Sequence, residues 1–327
     1  MAQTPTPVPT GLGGPGDPAR PVPATAPAPR PGSKYDRAVV FFLGIPGAFL
    51  FIFLIVPTIY NFLLSFNRGR RGEFTEWVGL DNYVNLLNDR SFINLTTFPP
   101  SGALWNNVLW VLLYVSLVIF LGLVVAVLAS RVRYESIVKA IVFLPMAIAA
   151  TALAIIWRNM YAPNTNVGLL NAIINPFADP VSWLGDPRIV NYALIAVGVW
   201  GSVGFATVIL SAALKGIPTE ILEAARVDGA SERQIFFRII VPMVSLPISV
   251  LAVTLTVNVI KLFDLIFVMT GGGPGVSSRV IAFTYYQEAF PGGQYGKGAA
   301  IATVMLILLI PVIIYNVRRF RTERVTS

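Results

Sequence analysis

Six apolar runs, at about 39–66, 107–130, 137–157, 191–214, 244–270 and 299–317, dominate this chain of 327 residues. About 20 apolar residues in a helix cross the hydrocarbon core of a bilayer. In lipid every backbone N–H and C=O must be satisfied within the protein, which a helix achieves by itself. The runs therefore predict an all-α integral membrane protein with six transmembrane helices. Composition agrees, because 12% of residues are charged, about half the share usual in soluble domains. Pro46, Pro57 and Pro311 fall inside runs, where kinks are expected and neighbouring helices can re-satisfy the freed carbonyls.

Residues 1–33 are mostly Pro, Ala, Thr and Gly, with too little to bury to offset the entropy of ordering. They predict a disordered tail extending to residue 38. This tail does not read as a secretory signal, since the first apolar run begins far downstream and no small-residue cleavage site follows it. The expected organisation is a tail over 1–38, a membrane domain over 39–317 and a basic tail over 318–327. With the N-terminus inside, fifteen Lys and Arg residues fall in inner segments and eight in outer ones, with Lys261 inside a run. That bias predicts both termini in the cytoplasm, although Arg68, Arg70 and Arg71 oppose it. Trp77, Trp105 and Trp183 suit the aromatic belt at the membrane surface.

The chain holds no Cys and no His, which removes disulfides, thiolate chemistry and the commonest general base and zinc ligand. The net charge of +8 is scattered at run ends and not gathered on one face, so no nucleic-acid partner is expected. Gly292, Gly293, Gly296, Lys297 and Gly298 superficially resemble a phosphate loop, but Pro291 replaces its first glycine and no Ser or Thr closes it. Asn94, Leu95 and Thr96 form a glycosylation sequon by chance.

One long polar segment, 223–247, lies between two apolar runs. Thr219 is placed as an N-cap, with Glu220 and Glu223 at the positive end of a helix. Asp228 and Gly229 end that helix in a left-handed turn. A second amphipathic segment over 231–241 then brings Ile235, Phe236, Ile239 and Ile240 onto neighbouring faces before Pro242.

Glu223, Ala224 and Ala225 are followed after three residues by Gly229, and nine residues later by Ile239, Ile240, Val241 and Pro242. This spacing resembles the signature of the permease subunits of ABC importers, with Val241 in place of a leucine. The resemblance implies the type I importer permease fold with six spans. It also implies a coupling loop over 215–243 that seats in a groove of a cytoplasmic ATPase. Glu223 would pair with a basic residue there, Ala224 and Ala225 would allow close docking, Gly229 would make the turn, and Asp228, Ala230 and Pro242 complete the signature.

Further residues resemble the carbohydrate-uptake branch: Pro57, Ser65 and Phe66; Gly79, Leu80, Asp81, Asn82 and Tyr83; Phe143, Leu144 and Pro145; Trp157; Gly168, Leu169, Leu170 and Asn171; Trp200; and Thr270, Gly271, Gly272, Gly273 and Pro274. The glycine-rich turn and the Arg-rich tail look like the first subunit of maltose-type permeases.

The implied partners are a second, different permease chain, two ATPase subunits, an extracytoplasmic sugar-binding protein, membrane lipid and a sugar. ATP and Mg would bind the ATPase, leaving this chain non-catalytic and without a cofactor. The implied location is a bacterial or archaeal cell membrane, crossed several times.

By the same resemblance, the sugar path matches Met146 and Ala150, then Gly198, Gly201, Ser202 and Phe205, then Leu255 and Val259. Of these, Ser202 and Phe205 supply a hydroxyl partner and a stacking face, so the partner chain is a candidate to hold more of the cargo. Lys261 and Asp264, with Asn258 one turn earlier, sit three apart in the fifth run and hence on one helix face. Both mutual pairing and a place in the path are open to them. A loose likeness over 298–320 points to an α-glucoside. Glycerol phosphate or a polyol is the alternative cargo, and a self-contained secondary transporter the alternative class, although that class usually carries ionisable relays in several spans.

Overall fold

The structure, a computed structural model, describes residues 33–69, 73–96 and 98–326, with the side chains of 33–38 and 320–326 outside the described set. Of the expected N-terminal tail, residues 1–32 lie outside the described residues. Among the described residues every regular element is helical, and isolated bridges join Asn67 to Trp77 and Asn94 to Ser101.

Residues up to Val56 and those from Pro57 onward form two separate units. In the first, a helix runs from Ser33 to Leu50 and passes into a π-helical turn at Phe51–Ile55. The apolar stretch α1 spans Val39–Leu64. Pro57 stands two residues beyond the π turn, and Pro242 stands two residues beyond another at Phe236–Ile240. Proline has no N–H for the carbonyl four residues back, so widening the turn by one residue lets a later N–H serve it.

The second unit begins its long helices after α2, Asp81–Asn88. α3 is Ala103–Ala129 and contains a third π-helical turn at Val111–Val115, which no proline accompanies. Next come α4, Glu135–Ala147, and α5, Ala150–Met160, which meet at 95°. The expected straight span 137–157 is therefore a bent pair. Leu144–Ala147 tightens into a 3-10 turn around Pro145, and Ile148 and Ala149 are extended. A short helix α6, Leu169–Ile174, precedes the central helix α7, Val190–Leu214.

After α8, Thr219–Val227, come α9, Glu232–Met243, and α10, Ser245–Ile260, bent by 69° at Val244. α11, Asp264–Met269, α12, Ile281–Ala289, and α13, Tyr295–Thr326, complete the chain. The expected fifth span 244–270 is thus interrupted at 261–263. The helix of the sixth continues beyond 317, to Thr326. Among the described residues four helices are long and apolar enough to cross a membrane, or up to six if each bent pair counts as one span.

α7 is the axis of the second unit. Leu194, Ala206 and Leu210 are buried on it, against Trp110 and Val118 of α3 and Leu251 and Leu255 of α10. Two glycines set the spacing. A Cβ on Gly122 would come within 2.6 Å of the Ala206 Cβ, and one on Gly204 within 2.5 Å of the Val142 carbonyl oxygen. A smaller cluster of Leu86, Phe92, Ala103, Ile281 and Ile301 closes the opposite end. Apolar side chains such as Leu112, Phe120 and Ile307 remain exposed on the helices, the pattern expected where lipid replaces water.

Candidate functional site

Two regions carry the residues singled out from the sequence, a polar helix-turn-helix and a cavity. In the first, α8 starts one residue earlier than expected. Pro218 occupies the N-cap without a side-chain bond, and Thr219 is the first helical residue. Proline's fixed φ already pre-sets the entry to the helix, so no hydroxyl cap is needed there. The helix ends as the spacing predicts. Gly229 has φ 79°, the Ala230 N–H donates to the Ala225 carbonyl at 2.9 Å and the Gly229 N–H to that of Arg226 at 3.1 Å. This is a Schellman-type stop with glycine in the left-handed position.

The second arm starts with a capping box. The Gln234 N–H donates to Ser231 Oγ, while the Ser231 N–H donates to Gln234 Oε1 at 2.8 Å. This satisfies two orphan donors reciprocally. Ile235 and Ile240 are buried, Phe236 and Ile239 are half-buried, and Pro242 is exposed. Glu232 joins both arms to the loop after α3. Its Oε1 accepts from Arg226 Nε at 2.9 Å, and its Oε2 pairs with Arg131. The Glu232 hydrogen bond and charge hold the Arg226 guanidinium above its ordinary range.

The signature residues divide by exposure. Glu223, Ala224, Asp228 and Gly229 face outward, Ala225 and Ala230 are half-buried, and Val227 is 87% exposed at the tip. Among the described residues Glu223 forms no ion pair. The loop therefore presents an exposed carboxylate beside small and apolar side chains, held by an internally capped scaffold.

The second region is a cavity of about 200 Å³ between α3, the α4–α5 bend, α7 and the interruption after α10. Seven predicted residues line it: Met146, Ala150, Gly198, Gly201, Ser202, Asn258 and Val259. Four do not. Leu255 is 1% exposed in the core, and Phe205 packs half-buried against that core. Lys261 and Asp264 are exposed and form no ion pair with each other among the described residues. The helix face they were expected to share is broken, so Lys261 closes α10 while Asp264 opens α11. A cation at a C-terminus and an anion at an N-terminus each complement a helix dipole.

Trp110 and Tyr114 also line the cavity, although sequence reasoning passed over them. The Tyr114 hydroxyl and Ser202 Oγ share a hydrogen bond of 2.8 Å, and the buried Trp110 indole N–H has no acceptor among the described residues. Their spacing of four in an apolar run was the available signal. In such a run it reads equally as core packing. The wall is thus apolar for most of its area, with hydroxyl, indole and amide groups at a few points and no charged residue among those lining it.

Two relatives and one solved structure fit this architecture. The chain is 43% identical over 280 residues to the osmoprotective compounds uptake permease GgtC of Synechocystis, covering 84% of this chain and 96% of that protein. It is 39% identical over 280 residues to the alpha-glucoside transport system permease AglF of Rhizobium meliloti, covering 84% and 80%. Its fold matches a chain of a bacterial ABC transporter that imports the acidic polysaccharide alginate, with TM-score 0.74 and 22% identity, covering 90% of this chain and 98% of that one. Residues 118–326 match the family model of the binding-protein-dependent transport system inner membrane component. By that match and these identities, the chain belongs to the family of binding-protein-dependent transport permeases.

Proposed function

We propose that this chain is a non-catalytic permease subunit of an ATP-driven importer of neutral di- or oligosaccharides, with α-glucosides as the leading cargo. The observation that carries the reading is the uncharged cavity beside α7, apolar with a few hydroxyl, indole and amide groups, in a chain related to an alpha-glucoside permease. Ligand sites of this type pair broad apolar walls with a few placed polar groups. At about 200 Å³ the cavity falls below the roughly 300 Å³ at which such sites usually begin. A second, different permease chain would complete it.

In this reading the chain crosses the cell membrane six times, with both bent pairs as spans and both termini in the cytoplasm. The membrane domain is 39–317, with tails before and after it. The loop over 215–243 would dock on one of two ATPase subunits, which hold ATP and Mg, with Glu223 meeting a basic residue there. An extracytoplasmic binding protein would deliver the sugar, and this chain would need no cofactor of its own. ATP-driven closure of the ATPase pair would move the capped loop as a nearly rigid body and switch the side to which the cavity opens. A phosphorylated cargo is disfavoured, because Lys261 does not line the cavity and would leave the phosphate without a cation.

The test is reconstitution of the complete complex in proteoliposomes and measurement of ATP-dependent uptake of maltose and trehalose. Uptake that requires ATP and the binding protein is expected. Uptake of osmoprotective solutes with no uptake of either sugar would overturn the α-glucoside assignment, and transport without ATP would overturn the importer class.

A further inference from the structure

The cavity wall contains an interruption, because Asn258 and Val259 belong to α10, Leu262 lies in the break and Leu265 follows it on α11. Broken backbone leaves carbonyl and amide groups that need partners from elsewhere. Three buried asparagines bond backbone on either side of the stretch 261–276 that begins with the break. Asn107 Nδ2 donates to the Val259 carbonyl at 3.0 Å, while Asn107 Oδ1 accepts from the Ile281 N–H at 2.8 Å. One side chain thus ties the last turn of α10 to the first residue of α12, bridging both ends of the segment 261–280.

Asn106 Nδ2 donates to the carbonyls of Ser277 and Arg279 at 2.8 and 2.7 Å. Its Oδ1 accepts from Asn191 Nδ2 at 3.1 Å, which donates again to the Ser277 carbonyl at 2.8 Å. Asn106 and Asn107 stand at the start of α3, and Asn191 at the start of α7. All three are less than a tenth exposed.

We propose that Asn106, Asn107 and Asn191 are positioning residues that hold the interrupted fifth span in place and thereby set the cavity wall that selects the cargo. The role rests on the proposed transport reading, but the clamp itself does not. α10 closes with the Lys261 N–H on the Val257 carbonyl and the Leu262 N–H on the Val259 carbonyl at 3.1 Å, so the carbonyl that Asn107 holds is also the one that anchors Leu262. Asn107 bonds both flanks. The buried amide bonds are directional and tie the starts of α3 and α7 to the end of α10 and to the loop at Ser277 and Arg279. The Thr270 and Ser278 hydroxyls, 2.8 Å apart, close the glycine-rich turn on the same side, so the clamp grips a preformed loop.

The natural absence of cysteine makes the test direct. In the complete complex, Leu262→Cys is labelled with a maleimide in proteoliposomes, in the parent chain and with Asn107→Leu or Asn107→Asp. Asn107→Leu removes both bonds, whereas Asn107→Asp keeps the acceptor for the Ile281 N–H. A several-fold change in labelling rate with leucine and an intermediate one with aspartate are expected. Uptake is measured without the label site. There KM should rise about tenfold for Asn107→Leu, the equivalent of roughly one net hydrogen bond, with the ATP hydrolysed per sugar unchanged.

Labelling at the parent rate in both variants overturns the clamp. Altered labelling with unchanged KM overturns its role in selection. A fall in protein amount with KM and labelling unchanged in the surviving complex assigns the asparagines to folding alone and also overturns the proposal. If the parent complex takes up no sugar, the transport reading fails, while the labelling still decides the clamp.

Discussion

At the scale of single residues, the polar loop separates two kinds of constraint. Gly229 has open space around it, with nothing within 4 Å of a Cβ placed there, so its requirement is the left-handed backbone alone. Gly229→Val should destabilise the turn by at least the roughly 1–2 kcal/mol of a left-handed L-residue, and transport should fall while membrane insertion persists. Glu223→Ala removes a side chain without an internal ion pair, so stability should hold while ATP-driven uptake falls. Uptake at the parental level in both variants, at equal protein amount, would remove the coupling role. In the cavity, Tyr114→Phe leaves Ser202 Oγ without its 2.8 Å partner. A loss of about 0.5–1.5 kcal/mol is expected, read as a lower Tm in detergent. Unchanged melting would show that the hydroxyl pair contributes nothing net.

At the scale of elements, the close approach of α7 to its neighbours has a measurable price. Gly204→Ala places a Cβ about 2.5 Å from the Val142 carbonyl oxygen, which is backbone and cannot swing aside. Overpacking of about 1–3 kcal/mol is expected, and a Tm within error of the parent would contradict the packing. The elements also show what the sequence made legible. The spans at 107–130 and 191–214 lie within a few residues of the helices, because apolar length alone fixes a span. Hydropathy is blind to where a span breaks. Kinks were expected at Pro46, Pro57 and Pro311 and not at Pro145, where α4 bends into α5, and the break at 261–263 carries no proline or glycine; the asparagines that bond on either side of 261–276 lie more than 80 residues away in sequence. The loop was legible in detail because its turn depends on one glycine at a fixed spacing. The cavity was half legible. Met146, Gly201 and Ser202 came through a family likeness, while Tyr114 looked like core.

At the scale of the whole molecule, charge is kept at the helix ends and used to tie distant segments together. Lys297 at the start of α13 bonds Asp89 after α2 at 3.0 Å and Glu288 on α12 at 2.9 Å. Partial burial alone would raise the Asp89 pKa, but hydrogen bonds from Ser91 and Lys297 together outweigh it and hold the carboxyl below its ordinary value of 3.8. A depressed folded-state value contributes stability above the unfolded pKa and loses it as pH falls through the folded value. The Tm difference between the parent and Asp89→Asn should therefore be constant above about pH 5 and close only below about pH 4. A difference that shrinks on raising the pH would refute the assignment.

The contact of Gly122 with Ala206, which leaves no room even for one added methyl group, has a kinematic consequence. Two helices that meet this closely cannot slide past each other without colliding, so α3 and α7 form a fixed spindle. Whatever opens the cavity has to turn about that spindle. Bending at the 95° and 69° elbows is then the motion that this contact favours over shear between α3 and α7.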